Sequence, residues 1–265
     1  MLRTEKGKGT IPQRAKIVAL ISIQGRLQVD SIPLRNAGPT APRKLKFAKK
    51  PELQLGVRLE LVRITREDYY FQEPGEQNTN DVVEAVKKRV CSTGIRYVVV
   101  ASNSGSTALK LAQALGEQAV VICVTGAPYR REWSMKWPTL QDEARKKLED
   151  LGVVVVDKAP YAFHNSVMES GMWSCFDAEQ IIRETLYAFG QGLKVAVEVV
   201  LMAVETGNLD PYQDVIGVGG TGRGADSAAV IRATYPATIF SKDLKKKLEI
   251  REIIAMPLKK HAAKT

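Results

Sequence analysis

The sequence predicts an α/β fold, a mainly parallel sheet between helical layers. Three observations carry that prediction. Near-continuous β-branched runs, "YVVVAS" at 97–102, "AVVICV" at 119–124 and "VVVVD" at 153–157, read as strands buried on both faces. Segments with a helical apolar period alternate with them. Glycine, serine and asparagine fall between the two kinds of segment, where turns and caps need them. In chain order, "LELVRI" at 59–64 reads as a short first strand, and "YYFQEPGEQNT" turns at Pro74-Gly75. Asn78 or Thr79 caps a helix through Val90, with Gly94 past its end. Gly105 to Leu115 is helical, with Ala108, Leu111, Ala112 and Leu115 on one face. Thr139 to Leu151 is an amphipathic helix stopped at Gly152. Asp177 caps another, with Gln180 placed for a capping box. Gly190 and Gly192 separate it from the apolar helix "LKVAVEVVLMAVETG", and "VIGV", "AAVIR" and "EIIAMP" at 252–257 supply the last strands.

Charge divides the chain. Its net charge is +10, yet residues 1–56 hold 12 Lys/Arg against 3 Asp/Glu, while residues 57–265 hold 27 against 26. With five prolines, the cluster "RKLKFAKK" and no apolar period, residues 1–56 read as a disordered basic extension, and residues 57–265 as the folded domain. A nearly neutral domain does not support a nucleic-acid-binding face. Three scattered cysteines and two histidines offer neither a disulfide framework nor zinc-ligand spacing, which fits a reducing cytoplasm. The run "IVALISI" is too short to span a bilayer, and no small-residue cleavage site follows it, so the chain reads as soluble, without a membrane partner.

The stretch "VIGVGGTGRGADSAAVIR" contains Gly217, Gly219 and Gly222 in the dinucleotide spacing G-x-G-x-x-G. That fingerprint requires a helix after the turn, to meet the pyrophosphate. Here Gly217 lies inside the apolar run and Pro236 arrives before a helical period can develop. The stretch therefore reads as strand, glycine loop, strand. Its backbone N–H groups can converge as an anion nest with Arg223 at the tip, or the loop is a plain hairpin with a solvated arginine. A second loop, "ASNSGSTALK", opens the helix after the first buried strand. Ser102, Ser104, Ser106 and Thr107 offer hydroxyls there, Gly105 offers close backbone approach, and the helix N-terminus offers free N–H groups. The chemistry suits phosphate; ordinary N-capping is the alternative.

The motifs "FQEPGEQNT", "VVASNSGSTALK", "FGQGLKVAVEVVLMA", "VGGTGRGADSAAVIR" and "EIIAMP" make the chain from about Tyr70 to Lys259 resemble the stand-alone pyruvate kinase C-terminal domain-like proteins. The resemblance implies a three-layer α/β/α sandwich with a mixed, mainly parallel sheet and one antiparallel strand. It also implies a phosphorylated ligand, flavin mononucleotide (FMN), at the carboxyl edge of the sheet. Ser102, Asn103, Ser104, Gly105, Ser106, Thr107 and Thr125 would hold it from one side, and Gly219, Gly220, Thr221, Gly222, Arg223, Gly224 and Asp226 from the other. Pyruvate kinase activity is not implied, because that chemistry needs a barrel that 265 residues do not contain. A ligand-binding module and a flavin-dependent oxidoreductase both remain open, as does a homo-oligomer.

Four further residues carry alternatives. Glu198 is either a buried carboxylate fit for acid–base work or part of a solvated stripe paired i,i+4 with Lys194. His164 is a general base near the ligand or a structural loop histidine. Trp133 and Trp137, beside Arg130 and Arg131, either stack on a planar ring or cover the sheet edge. Cys123, in mid-strand, reads as core packing.

Overall fold

The computed structural model describes residues 63–164 and 177–261. The expected boundary at 56/57 and most of the expected strand at 59–64 lie outside them, and Arg63 and Ile64 carry no strand. Seven strands form one sheet: β1 (Tyr69–Phe71), β2 (Tyr97–Ala101), β3 (Val120–Val124), β4 (Val154–Val156), β5 (Asp214–Gly219), β6 (Ser227–Arg232) and β7 (Glu249–Pro257). Their spatial order is β1-β7-β6-β5-β2-β3-β4. Only β6 runs antiparallel to its neighbours; every other pairing is parallel. The α/β class and the mixed, mainly parallel sheet are therefore as the sequence predicts.

Five α-helices cover the two faces: α1 (Thr79–Thr93), α2 (Ser106–Leu115), α3 (Asp142–Glu149), α4 (Ala178–Tyr187) and α5 (Gln191–Glu205). The period-2 alternation of the strands splits the core in two. Val98, Val100, Val121, Cys123, Ile216 and Val218 meet Val82, Val86, Leu111 and Leu148 from α1, α2 and α3. Val99, Ile122, Val124, Val215, Ala229 and Ile231 meet Leu186, Val197, Val200 and Leu201 from α4 and α5. The result is three layers. Capping follows the residue types. Gly94 closes α1 in the left-handed conformation, its N–H donating to the Val90 carbonyl. Asp177 caps α4, its carboxylate accepting from the Gln180 N–H.

One edge strand is added to the sequence reading, and the strand–loop–strand reading of the glycine run holds. "YYFQEPGEQNT" is expected to turn at Pro74-Gly75, and Tyr69–Phe71 before that turn also pairs with β7 as an edge strand. Three residues are too few to show a period. The glycine run is a hairpin, with β5 and β6 antiparallel on either side and no helix after it. Two of its glycines have a packing role. A Cβ on Gly217 would collide with the Ala196 carbonyl of α5, and one on Gly219 with the Gly192 carbonyl and with the Ala196 nitrogen at 2.7 Å. Helix α5 thus lies with its backbone directly on β5, and all but three of its residues are buried.

That close approach makes the cost of a methyl group here predictable. Gly219→Ala must push backbone rather than a flexible side chain, so it should destabilise by about 1–3 kcal/mol, read as a lower urea midpoint at unchanged slope. Gly222→Ala meets open space and carries only the strain of its positive φ of 84°, about 1–2 kcal/mol. If Gly219→Ala is silent, the helix–strand contact is looser than described.

Candidate functional site

Strands β2 and β5 are adjacent and parallel, but the chain leaves β2 for β3 on one side and β5 for β6 on the other. Their carboxyl ends part, and crevices at such switch points are where open α/β sheets bind ligands. A cleft of about 1040 Å³ occupies this place. Its walls come from the β2–α2 loop, the β5–β6 hairpin, the segment after β3, Tyr161 and His164 after β4, and one side of α5.

On the first wall stand Ser102, Asn103, Ser104, Ser106 and Thr107. The Ser104 and Ser106 hydroxyls are 3.0 Å apart, and the buried Ser102 hydroxyl accepts from the Ala108 N–H at 3.4 Å. The N-cap residue of α2 is Gly105, which has no side chain to offer, so the first N–H groups meet only long contacts, Ser106 N–H to Ser104 Oγ at 3.5 Å and Ala108 N–H to Ser102 Oγ, at the cleft. Asn103 is a strut. Its Oδ1 accepts from the Gly126 N–H at 2.7 Å, tying the β2 loop to the segment after β3. Thr125 follows β3, is 4% exposed and lines the cleft, and its hydroxyl makes no hydrogen bond among the described residues. A buried hydroxyl without a partner is costly unless something else supplies one.

From the hairpin, Gly220, Gly222, Arg223 and Gly224 reach the cleft. Four other expected ligand contacts do not line it, each for a visible reason. Gly105 is buried and has a φ of 82°, and a Cβ there would point at Leu140 Cδ1 (2.9 Å) and Leu148 Cδ1 (3.1 Å). It permits the turn and the packing of α3, rather than ligand approach. Gly219 faces α5. Asp226 is fully buried and holds the hairpin in place: its carboxylate accepts from the N–H groups of Gly75 and Thr221, both at 3.0 Å, and from the Ser227 hydroxyl at 2.8 Å. Thr221 is that carboxylate's backbone partner. Alongside, the Ala225 N–H donates to Thr79 Oγ1 at 3.0 Å, so the "PGEQNT" turn and the glycine loop form one knot.

The segment after β3 contributes cations and rings. Arg130 and Trp133 line the cleft, whereas Trp137 donates its indole N–H to the Asp157 carbonyl and stacks with Arg131 outside it. Trp133 lies nearly parallel to Tyr161, with centroids 5.5 Å apart and planes at 18°, and meets His164 edge-on. Among the described residues Arg130 and Arg223 make no ion pair, and Arg130 Nε is buried without a hydrogen-bond partner. Lys110, Arg130, Lys194 and Arg223 against Glu76 and Glu198 give the cleft a net positive lining.

The floor resolves the alternatives for Glu198 and His164. Lys194 and Glu198 are an i,i+4 pair, but a buried one, with Nζ 2.9 Å from Oε2 and each side chain 5% exposed. Glu198 Oε1 also accepts from the Phe163 N–H at 3.3 Å. His164 completes the group. Its Nε2 lies 3.0 Å from Lys194 Nζ, and its Nδ1 lies 3.0 Å from Arg183 Nη1. Both neighbours are obligate donors; a protonated ring would offer neither an acceptor, and a neutral ring offers one to a single neighbour. Burial first, then Lys194 and Arg183, push the imidazole down to about 3, so it is neutral near pH 7. Sequence spacing suggested the Lys194–Glu198 pair; nothing in it placed His164 against them. Cys123 is buried core, its thiol pushed up to about 12 by burial.

Among the described residues, no cluster of three or more His, Cys, Asp or Glu side chains could hold a metal ion, and no helix is long and apolar enough to cross a membrane. No protein-family model matches the sequence.

The histidine carries a pH signature. Its folded value lies below the ordinary value near 6.5, so the unfolded chain takes up a proton that the native state refuses. Its contribution is therefore full above about pH 6.5 and is lost as pH falls towards 3. His164→Gln should flatten the decline of the urea midpoint between pH 7 and pH 4. Parallel wild-type and variant curves would mean that the ring is not held neutral.

Proposed function

We propose that this chain is a binding domain for a phosphate monoester carried on a planar ring, and that it belongs with the pyruvate kinase C-terminal domain-like proteins it resembles. The observation that carries the binding reading is the convergence on one cleft of a helix N-terminus capped only by long serine contacts, the unpartnered Thr125 hydroxyl and two arginines without a carboxylate partner. Phosphate at the start of α2 would take N–H groups, the Ser104, Ser106 and Thr107 hydroxyls and the favourable end of the helix dipole together. Arg223 would close over it from the hairpin with charge-assisted hydrogen bonds.

FMN is the ligand the resemblance suggests, and the cleft suits its size and shape. About 1040 Å³ is at the upper end of the roughly 300–1,000 Å³ of small-molecule sites. The parallel Trp133–Tyr161 pair gives a flat aromatic wall for a ring system. Bound there, a flavin would supply electron-transfer chemistry, while the chain's own residues grip the phosphate and screen the ring from water. The buried Lys194–Glu198–His164 group is the observation that favours the second reading, a flavin-dependent oxidoreductase, because a buried ion pair at a cleft is weak evidence for stability alone. Rapid bleaching of flavin-loaded protein by NADH or NADPH would select that reading.

Titration calorimetry tests the binding reading. FMN should bind far more tightly than riboflavin, which lacks the phosphate, and Arg223→Ala should weaken FMN by about 1.5–3 kcal/mol while leaving riboflavin unchanged. Equal affinity for riboflavin and its phosphate would remove the phosphate site from this cleft.

A further inference from the structure

The end of the cleft away from α2 has its own chemistry, and the phosphate reading does not use it. An ammonium carries three N–H donors. Lys194 directs one at Glu198 Oε2, stands 3.0 Å from His164 Nε2 and 5.3 Å from the centre of the Tyr187 ring, and lines the cleft; no further hydrogen-bond acceptor for it is found among the described residues. Each oxygen of the neighbouring Glu198 carboxylate already holds one hydrogen bond. Glu198 Oε1 accepts from the Phe163 N–H, and its Oε2 accepts from Lys194 itself. The Lys194 charge is already paired with Glu198, so what the ammonium offers a ligand is an N–H donor. The Lys194 ammonium therefore brings an N–H donor to the same cleft as the parallel rings of Trp133 and Tyr161.

The geometry points to Lys194 as a specificity-determining residue that reads ring carbonyl oxygens, so that the site takes phosphate monoesters of carbonyl-edged heterocycles and disfavours those edged with amino groups. A carbonyl at this position would accept the remaining Lys194 N–H. An exocyclic amine would set donor against donor, leaving buried polar groups unpaired on both sides, which is how sites built on hydrogen bonds discriminate most strongly. Glu198 acts here as a positioning residue, since its carboxylate fixes the direction of the Lys194 side chain. This inference rests on the phosphate reading of the same cleft, but not on flavin as the ligand.

The test is a panel of four phosphate monoesters titrated into the full chain: FMN and UMP, whose rings carry two carbonyls, AMP, whose ring carries none, and ribose 5-phosphate, which has no aromatic ring. Wild type should bind UMP and FMN about ten-fold or more tightly than AMP. Lys194→Met should bring UMP and AMP within about two-fold of each other and leave ribose 5-phosphate unchanged. Because Lys194→Met leaves the Glu198 carboxylate buried and unpaired, Lys194→Met/Glu198→Gln is titrated alongside and should lose the same preference. A UMP to AMP ratio that survives in either folded variant, or a wild type that binds AMP as tightly as UMP, overturns the inference. If UMP is preferred and FMN does not bind, flavin as the ligand falls while this inference stands. If ribose 5-phosphate and the three ring compounds all fail to bind, the phosphate site and this inference fall together.

Discussion

The contact between α5 and β5 governs most of what surrounds the cleft. Gly217 and Gly219 remove the side chains that would otherwise keep a helix at its normal distance from a sheet, and the backbones of Gly192 and Ala196 lie directly on them. A helix so placed is buried nearly all round, which accounts for its apolar composition. Its first two turns then carry Lys194 and Glu198 to the cleft at a depth where water does not solvate them, and each must satisfy the other. The same two glycines belong to the spacing that superficially reads as a dinucleotide fingerprint. Their role in close helix–strand packing resembles one of the tasks glycine performs in that motif, but here the chain continues into a second strand.

Around that contact the cleft depends on two restraints that touch no ligand. The buried Asp226 carboxylate gathers the N–H groups of Gly75 and Thr221, so the hairpin loop and the turn before α1 move as one piece. Gly224 lies where a Cβ would meet Thr79 and Glu76, which brings that turn against the loop. On the opposite wall the Asn103 amide oxygen holds the segment after β3 to the β2 loop. Arg223 and Arg130 thus reach the cleft from two separately anchored walls. Preorganised donors of this kind bind an anion without having to reorganise first, and that is the physical case for a phosphate site.

Much of this was legible in the sequence, for identifiable reasons. Long β-branched runs and four-residue helical spacing mark β2, β3, α2 and α5 because burial on both faces leaves no room for polar interruptions. The antiparallel hairpin was legible because Pro236 forbids the helix that the glycine spacing would otherwise suggest. Edge strand β1 was not, since three residues paired to one neighbour need no hydrophobic period. Asp226 looked like a ligand contact because an acidic residue after a glycine loop commonly is one; only its backbone partners, 151 and 5 residues away, reveal a structural carboxylate. Gly105 shows the same limit. Its need for a positive φ could be anticipated, but the direction in which a side chain would point, towards Leu140 and Leu148, depends on α3. Likewise Trp133 and Trp137 are indistinguishable by type, and only the fold turns one into the cleft and the other onto Asp157.

The central claim, that an anion binds where α2 begins, is open to direct observation by amide nitrogen–proton NMR during titration with FMN and, separately, with inorganic phosphate. The account predicts that the amides of Ser104, Gly105, Ser106 and Thr107 shift first and furthest with both, joined by Gly222, Arg223 and Gly224 across the cleft. A second basic hollow of about 560 Å³, lined by Arg232, Lys245, Lys246 and Arg251, lies around the opposite end of β5 and serves as the internal comparison. Phosphate-induced shifts confined to that hollow, with the α2 N-terminus unmoved, would contradict the account.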